Sequence, residues 1–477
     1  MGELQGGGTA AFESYVEALV GVIGHADRAE PLRDYCMGLM MPVARKSVEP
    51  LAAVTAPARV SAKHQSLLHF VGQSPWSDEA LLARVRDWVL PRMIERGGPI
   101  TAWIVDDTGF PKKGRHSVGV ARQYCGQLGK QDNCQVAVSL SIANETASLP
   151  IAWRLYLPDA WAQDPALRHK AKVPDSIAFR TKPQIALDQV RAATAAGTPT
   201  GVILADAGYG ADGAFRAGLS ELGLDYVVGV QPTLSVWRPG EAPLPPKVWS
   251  GTGRPPALLR RSREHKPLSA KALAQELPAG AWQTVMWREG SNVDLASRFA
   301  AVRVRPASRD YNLTKPRLEE WLLIEWPEGD TEPLKYWLST LPGDTPLREL
   351  VATAKLRWRI ERDYRELKQE LGLGHFEGRG WRGFHHHASL CIAAYGFLIS
   401  ERETIPPSAA ARRQDGQEPP IPRGSRRGAA TDPARAPRPE LDRHDPPLPH
   451  RGARPQLTAM SLLRAIKPPP SCSFVTQ

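Results

Sequence analysis

The segment between residues 100 and 230 constrains the fold most, because its apolar runs follow one another in a distinctive order. Three strand-like runs come first, with the sequences TAWIVD, CQVAVSLSIA and SLPIAWRLYLP. A helix over residues 183–196, the strand GVILAD, a helix over residues 213–222 and the strand LDYVVGV follow. This order, β-β-β-α-β-α-β, predicts an α/β fold in which helices pack on a mixed sheet.

Residues 1–98 are predicted to form a helical N-terminal domain. Apolar residues recur there at helical spacing, as at Phe12, Tyr15, Val16, Leu19 and Val20. Two interpretations of this domain are open: an ordinary helical domain with a solvated surface, or a domain that binds DNA ends. The second interpretation relies on scattered basic residues, which include Arg45, Lys46, Arg59 and Lys63.

Residues 99–234 hold the first part of the predicted sheet domain, and residues 343–400 add its C-terminal helices. Between them, residues 235–342 contain the strand-like runs QTVMWRE, RFAAVRV, EWLLIEW and LKYWLST, which predict a β-rich insertion. A long helix is expected from about residue 345 to 371, where the sequence GLG suits a helix C-cap. A last apolar helix is expected over residues 388–400.

The composition changes sharply near residue 402. From there to the C-terminus lie 15 of the 44 prolines, together with many arginines, so residues 401–477 are predicted to form a disordered tail. The chain has 61 Lys and Arg against 50 Asp and Glu, and the tail, with 13 basic and 8 acidic residues, contributes +5 of the resulting +11. This balance favours a polyanionic partner but does not specify a fold.

Two strands of the predicted sheet end in aspartate followed by a glycine-containing turn. The first, in IVDDTGFPKKG, ends at Asp106 or Asp107, and the second, in ILADAGYG, ends at Asp206. Aspartates often cap turns, but two of them in successive strands of one sheet are more typical of a ligand site. Alternation of side chains along the first strand favours Asp106, while a one-residue slip leaves Asp107 open. Carboxylate oxygens are the ligands that Mg²⁺ prefers.

The predicted long helix offers a third carboxylate. In its sequence KLRWRIERDYRELKQELGLG, one face carries Arg357, Glu361, Tyr364 and Lys368. The neighbouring face, which is apolar and suited to packing on a sheet, carries Leu356, Ile360, Leu367 and Leu371. Taken alone, the charged face is more typical of a solvated helix with i,i+4 charge pairs.

Together, these features resemble the bacterial insertion-sequence transposases that have an RNase H-like DDE catalytic domain, a β-rich insertion and a signature helix with Tyr, Arg, Glu and Lys. Arg357, Glu361 and Lys368 match the Arg, Glu and Lys at their spacings, whereas the Tyr position is Ala354. The resemblance covers roughly residues 12–400 and includes VDDTGFPKKGRHSVGVARQYCG, NCQVAV, LADAGYG and WRGFHHHASL. It implies an RNase H-like mixed sheet flanked by helices.

The resemblance also implies an activity. Asp106, Asp206 and Glu361 would hold two Mg²⁺ ions, for which Mn²⁺ can substitute, in a DNA strand cleavage and transfer reaction. The expected partners are the terminal inverted repeats of the element and the target DNA, both double-stranded, bound by a homodimer. The chain contains no run of about 18 apolar residues, and no signal peptide is recognisable, so a bacterial, nucleoid-associated cytoplasmic protein is expected.

Further residues are expected to contact DNA. The resemblance implies phosphate contacts from Arg357 and Lys368, while Trp358 either stacks on an unpaired base or lies buried between helix and sheet. The loop after Asp106 is either a phosphate-binding lip or a solvated β-hairpin. Its basic residues are Lys112, Lys113, Arg115 and Arg122. A polar helix start near DNA, rather than a metal site, is expected at His385, His386 and His387.

Two other classes of function are weighed against a transposase. An inactive or domesticated transposase-derived DNA-binding protein would keep the fold without the chemistry. The unusual Pro/Arg-rich tail makes this alternative credible, whereas the complete triad favours retained chemistry. A carboxylate-based hydrolase such as a glycosidase would use paired acids. It would not need the basic loop or the Arg and Lys residues that accompany Glu361.

Overall fold

The computed structural model describes residues 2–288 and 295–404. The predicted tail therefore lies outside the described residues from residue 405 onward, and residues 401–404 belong to the last helix instead of to the tail. Among the helices described, none combines the length and the apolar character that a membrane crossing requires.

The first hundred residues are helical, as predicted. The helices are α1 (Gly2–Val20), α2 (Ala29–Met40), α3 (Val48–Thr55), α4 (Val60–Gly72) and α5 (Asp78–Gly97). Those that follow are α6 (Asp159–Ala162), α7 (Pro165–Ala171), α8 (Lys182–Ala195), α9 (Ala207–Gly210), α10 (Gly213–Glu221), α11 (Ala270–Glu276), α12 (Leu347–Lys355), α13 (Trp358–Arg365) and α14 (Trp381–Thr404).

The N-terminal helices share one hydrophobic core with the C-terminal helix α14. The hydroxyl of Tyr15 in α1 donates to the carbonyl of Ala393 in α14 at 2.8 Å. Helix α5 approaches α14 at Gly396, where a Cβ atom would lie 2.7 Å from Cγ1 of Val85. Residues from the two ends of the described chain therefore build a common helical layer.

The strands form one mixed sheet. They are β1 (Ala102–Pro111), β2 (Ala121–Cys125), β3 (Lys130–Ala143), β4 (Ser148–Leu155), β5 (Val202–Ala205), β6 (Tyr226–Val230), β7 (Ser235–Trp237), β8 (Leu268–Ser269), β9 (Gln283–Arg288), β10 (Leu295–Pro306), β11 (Glu320–Trp326) and β12 (Lys335–Ser339). In the core, β3 pairs antiparallel with β1, β2 and β4, whereas β1, β5 and β6 are parallel neighbours. This arrangement confirms the predicted RNase H-like mixed sheet with helices.

The β-rich insertion extends the same sheet. Strand β12 pairs antiparallel with β6, and β11, β10, β7 and β8 follow outward from it, while β9 pairs with β10. The four predicted strands of the insertion are confirmed as β9 to β12. Strands β7 and β8 are too short, at three and two residues, to leave a pattern in the sequence.

The prediction of one long helix up to residue 371 is wrong, because α12 and α13 are separated by a turn at residues 356–357. Two ion pairs flank this turn. Lys355 reaches Glu325 of β11 at 2.7 Å, and Arg357 reaches Asp106 of β1 at 2.8 Å. The regular α-helical hydrogen bonding is therefore interrupted between two residues that are anchored to different strands. After α13 the chain forms a π-helical turn, Glu366–Glu370, and it ends near Gly372, whose φ of 70° suits the predicted glycine C-cap.

Candidate active site

Asp106 and Asp107 lie within β1, and their side chains have different neighbours. The strand continues to Pro111 because β3 pairs with it throughout, so the prediction that the strand ends at this aspartate pair is wrong. Pairing with the parallel strand β5, in contrast, stops at Ile104. Oδ2 of Asp106 accepts a hydrogen bond from Arg357, whereas Oδ2 of Asp107 accepts from Lys182 at 2.8 Å. The two carboxylates therefore serve different parts of the site.

Asp206 directly follows β5, the strand that lies next to β1 and Asp106. The register pairs Ile104 with Leu204, so each aspartate comes two residues after the last paired position. Because neighbouring strands are about 4.8 Å apart, the two aspartates lie side by side at the same level of the sheet. Oδ1 of Asp206 also accepts from the backbone N–H of Gly208 at 2.8 Å and caps α9. Asp206 thus combines the capping role common for such an aspartate with a position beside Asp106.

The pKa of Asp106 is raised from its ordinary value to about 7. Burial contributes most, since only 14% of the side chain is exposed. Arg357 opposes the shift by attraction, while repulsion from Asp206 and Asp107 adds to it. The site therefore concentrates negative charge that a cation stabilises.

Arg357 connects the three predicted catalytic carboxylates. Its Nη1 donates to Oδ2 of Asp106 at 2.8 Å, and its Nη2 lies 3.7 Å from Oε1 of Glu361, one helical turn later. Burial lowers the pKa of the guanidinium, but attraction from Asp106, Asp206 and Glu361 outweighs it and raises the pKa. Glu361 is 67% exposed and so faces solvent at the edge of this group.

Comparisons with known proteins place this geometry in a family. Residues 18–293, more than half of the chain, match the family described as DDE superfamily endonuclease. The chain belongs to the DDE superfamily endonucleases. The matched region of the chain contains Asp106 and Asp206 and ends before Glu361.

A probable transposase sequence is also similar to this chain. The chain is 32% identical over 196 residues to a protein from Microchaete diplosiphon described as a probable transposase for insertion sequence element IS701. The match covers 41% of the chain and 47% of that protein, so the chain spans about half the length of the curated relative. Together with the family, this likeness confirms the predicted resemblance to insertion-sequence DDE transposases.

The residues of the site suit a divalent cation in their chemistry. All three predicted ligands are carboxylates, which Mg²⁺ and Mn²⁺ prefer. Asp106 lies in β1, and Asp206 directly follows the neighbouring strand β5. Within residues 2–288 and 295–404, however, no three His, Cys, Asp or Glu side chains converge as metal ligands do. Arg357 provides the positive charge beside Asp106 in this arrangement.

Lys368 reaches β1 from the π-helical turn. Its Nζ donates to the carbonyl of Gly109 at 2.8 Å and to Oε1 of Gln127 at 3.1 Å. Burial lowers the pKa of this amine to about 8. Tyr364, which was predicted to share its face, is instead buried and hydrogen-bonded to Ser139 of β3 at 2.7 Å. Glu361 and Tyr364 both lie in α13, three residues apart, yet the first is exposed and the second is buried against the sheet.

The basic residues of the loop after β1 have two kinds of surroundings. Lys112 is used internally, since its Nζ donates to the carbonyl of Phe376 at 2.9 Å and burial lowers its pKa. The other predicted cations line a groove of about 490 Å³ together with Asp132 and Asn133. They are Lys113, Arg115 and Arg122. The groove is compatible with the phosphate-binding lip, whereas Lys112 lies outside its lining and its phosphate contact stays a prediction.

Trp358 lies at the start of α13 and is partly exposed. The guanidinium of Arg359 lies 5.8 Å from the centre of its ring. The ring is therefore not fully buried, and both stacking on a base and packing between helix and sheet stay predictions.

The prediction that three consecutive histidines form a polar helix start near DNA is wrong. Helix α14 begins at Trp381, and all three side chains are buried within it. His386 contacts the carbonyls of Val71 and Trp76, and His387 contacts the hydroxyl of Tyr35 and the carbonyl of Gly372. Burial lowers the pKa of His386 and of His387 to about 4. These histidines join the N-terminal helices to α14.

The four basic residues that favoured an N-terminal DNA-binding surface differ in exposure. Lys63 is buried and pairs with Asp34 and Glu30, and Lys46 is buried and donates to the carbonyl of Met41. Arg45 pairs with Glu377 and Arg59 pairs with Glu30 at 3.2 Å, but their side chains are 57% and 68% exposed. Lys46 and Lys63 therefore give no support to DNA binding, whereas contacts of Arg45 and Arg59 with DNA stay predictions.

Two residues of the site escaped the sequence analysis. Lys182, the first residue of α8, and Tyr209, in α9, both donate to Asp107, the second at 3.1 Å. Tyr209 stands in the quoted motif LADAGYG, so its proximity to Asp206 was a usable signal. Lys182 carried no comparable signal, because it lies 75 residues from its partner.

Proposed function

We propose that this DDE endonuclease is a transposase, which binds the terminal inverted repeats of an insertion sequence, cleaves the DNA there and transfers the ends to target DNA. The observation that supports this most is the placement of Asp106 in β1 and of Asp206 directly after the parallel neighbour β5, with Arg357 of the signature segment bonded to Asp106. A homodimer on paired ends is the proposed assembly.

In this proposal, Asp106, Asp206 and Glu361 hold two Mg²⁺ ions. When bound, such ions lower the pKa of the attacking hydroxyl or water and stabilise the leaving oxygen. Asp206 is already oriented by its bond to the N–H of Gly208, and Asp106 is oriented by β1. Glu361 supplies the third carboxylate from the edge of the site.

In this proposal, basic side chains around the carboxylates bind the phosphates of the DNA. Arg357 is suited to bidentate phosphate contacts and Lys368 to a point contact. The groove lined by Lys113, Arg115 and Arg122 would accept a further stretch of backbone. Because these contacts are to phosphates, they position the DNA without reading its sequence.

The proposal is tested with the purified full chain on supercoiled DNA that carries the element ends. Glu361→Ala should reduce Mg²⁺-dependent cleavage by roughly a thousandfold or more, because a ligand that acts only in the reaction is lost. Binding of the ends should change little, since Glu361 is exposed and holds no structural element.

Glu370→Ala, in the neighbouring π-helical turn, is the matched control and should cleave at the wild-type rate. Wild-type cleavage by Glu361→Ala would disprove the assignment of the third carboxylate. An absence of cleavage by the wild type in either Mg²⁺ or Mn²⁺ would favour the inactive, DNA-binding alternative.

A further inference from the structure

The most buried carboxylate of the site is already paired with a cation of the chain itself. Arg357 and Asp106 are 2.8 Å apart, with 28% and 14% of their side chains exposed. At such low exposure the attraction between opposite charges is much stronger than at a free surface. The same guanidinium extends to Glu361 and is attracted by Asp206, so it lies among all three proposed ligands.

A metal ion and this guanidinium would compete for the same oxygen. Oδ1 of Asp106 accepts the backbone N–H of Asp107 at 2.8 Å, and Oδ2 accepts Arg357. Both oxygens of the side chain therefore already accept hydrogen bonds. A divalent ion that uses Asp106 gains its full attraction only if the guanidinium moves away.

The backbone around Arg357 is suited to such a movement. The residue stands in the turn between α12 and α13, where Ile360 N–H bonds to the carbonyl of Arg357 and Arg359 N–H to that of Leu356, both with i,i+3 spacing. This spacing gives poorer hydrogen bonds than the α-helical one. The π-helical turn Glu366–Glu370 lies at the other end of α13. Irregular turns therefore bracket the segment that carries Arg357 and Glu361.

We propose that Arg357 is a displaceable counter-ion that couples DNA binding to metal binding. Without DNA it neutralises Asp106 and opposes divalent cations at the carboxylates. A DNA phosphate offers the guanidinium a bidentate partner, draws it from Asp106 and frees that carboxylate for the ion. The inference rests on the proposed function, because it takes Asp106, Asp206 and Glu361 as metal ligands.

The first test measures Mn²⁺ binding to the full chain without DNA, by the electron paramagnetic resonance signal of free Mn²⁺. Arg357→Gln removes the competing charge and should bind Mn²⁺ about tenfold more tightly than the wild type. The control is Arg362→Gln, in helix α13. Arg362 pairs with Glu366, which still pairs with Arg402 when Arg362 is replaced. This control should bind Mn²⁺ as the wild type does. Equal affinities of Arg357→Gln and wild type would overturn the proposal.

The second test uses the wild type and so does not depend on the folding of a variant. A duplex end should tighten Mn²⁺ binding about tenfold, after subtraction of the ions bound by the same duplex with Asp206→Asn protein. By thermodynamic reciprocity, Mn²⁺ should tighten duplex binding by the same factor. An unchanged Mn²⁺ affinity with the duplex would overturn the proposal.

The two proposals fail in different ways. If Glu361→Ala still cleaves DNA, the assigned function of the carboxylates is wrong. If it does not cleave but Arg357→Gln and wild type bind Mn²⁺ equally, the ligands stand and only the counter-ion role of Arg357 is lost. A purely structural role of Arg357 would lower the melting temperature of Arg357→Gln without changing its Mn²⁺ affinity, which again overturns the counter-ion proposal.

Discussion

At the residue scale, the adjacent residues Asp106 and Asp107 have different partners and different proposed roles. Asp106 faces Arg357, near Asp206, whereas Asp107 is held by Lys182 and Tyr209. Side chains alternate along a strand, so neighbours in sequence have different surroundings. This supports the proposal of Asp106 as the metal ligand and gives Asp107 the task of fixing α8 and α9 against β1.

A third aspartate makes a prediction about pH. Asp363 is 1% exposed and accepts hydrogen bonds from Ser148 and Tyr395, and burial raises the pKa of its carboxyl to about 7. Between about pH 4 and pH 7 the unfolded chain releases this proton while the folded chain keeps it, so stability falls as the pH rises. Asp363→Asn keeps an acceptor for both partners and removes this titration.

We therefore expect Asp363→Asn to gain about 2 kcal/mol in free energy of unfolding, relative to wild type, between pH 5 and pH 7.5. Urea denaturation at the two pH values measures this difference. Asp344→Asn, at an exposed position, is the control and should follow the wild type. Parallel pH profiles for Asp363→Asn and wild type would show that burial does not shift this carboxyl.

At the element scale, the contact of α5 with α14 depends on the absence of a side chain. A Cβ at Gly396 would meet Val85 at 2.7 Å and Val89 at 3.3 Å, and both valines are buried. Gly396→Ala should therefore destabilise the protein by about 1–3 kcal/mol through overpacking, although alanine favours helices. The melting temperature by circular dichroism measures the change.

Gly72→Ala is the matched control for this contact. Gly72 also lies in a helix, but a Cβ there meets no atom within 4 Å. This variant should be as stable as the wild type or slightly more stable. If the two alanine variants melted alike, the close approach of α5 to α14 would not be a determinant of stability.

The helices and strands were largely predictable from the sequence, whereas the break within the long helix and the partners of buried polar residues were not. The apolar runs of β1, β3, β5 and β6 identified the core strands, because a buried strand needs such a run wherever its partners are. The break between α12 and α13 depends on Glu325 and Asp106, which lie far from it in the chain. Likewise, the sequence did not indicate that the histidines of α14 are buried. The backbone carbonyls that His386 contacts belong to residues that are more than 300 positions away in the chain.

At the scale of the whole molecule, fewer basic side chains are free to contact DNA than the net charge of +11 suggests. Lys46, Lys63 and Lys112 all have partners inside the protein. The predicted cations that line an open groove are Lys113, Arg115 and Arg122. The binding surface that we propose for DNA therefore includes this groove, while Arg45 and Arg59 stay exposed on the N-terminal region.

The salt dependence of DNA binding tests this distribution. Each alanine substitution at Lys113, Arg115 or Arg122 should lower the slope of log affinity against log salt by about 0.9, the value for one lost phosphate contact. Fluorescence anisotropy over a salt series measures the slope. Lys112→Ala is the control and should reduce stability while leaving the slope unchanged. Unchanged slopes in all three groove variants would exclude the groove as a phosphate site.

The most direct test of the catalytic assignment is a crystal structure with a DNA end and Mn²⁺, in which anomalous scattering locates the metal. We expect the ions to be bound by Asp106, Asp206 and Glu361, with Asp107 still held by Lys182 and Tyr209. Manganese bound to Asp107 instead of Asp106, or manganese located away from Asp206, would contradict the assignment.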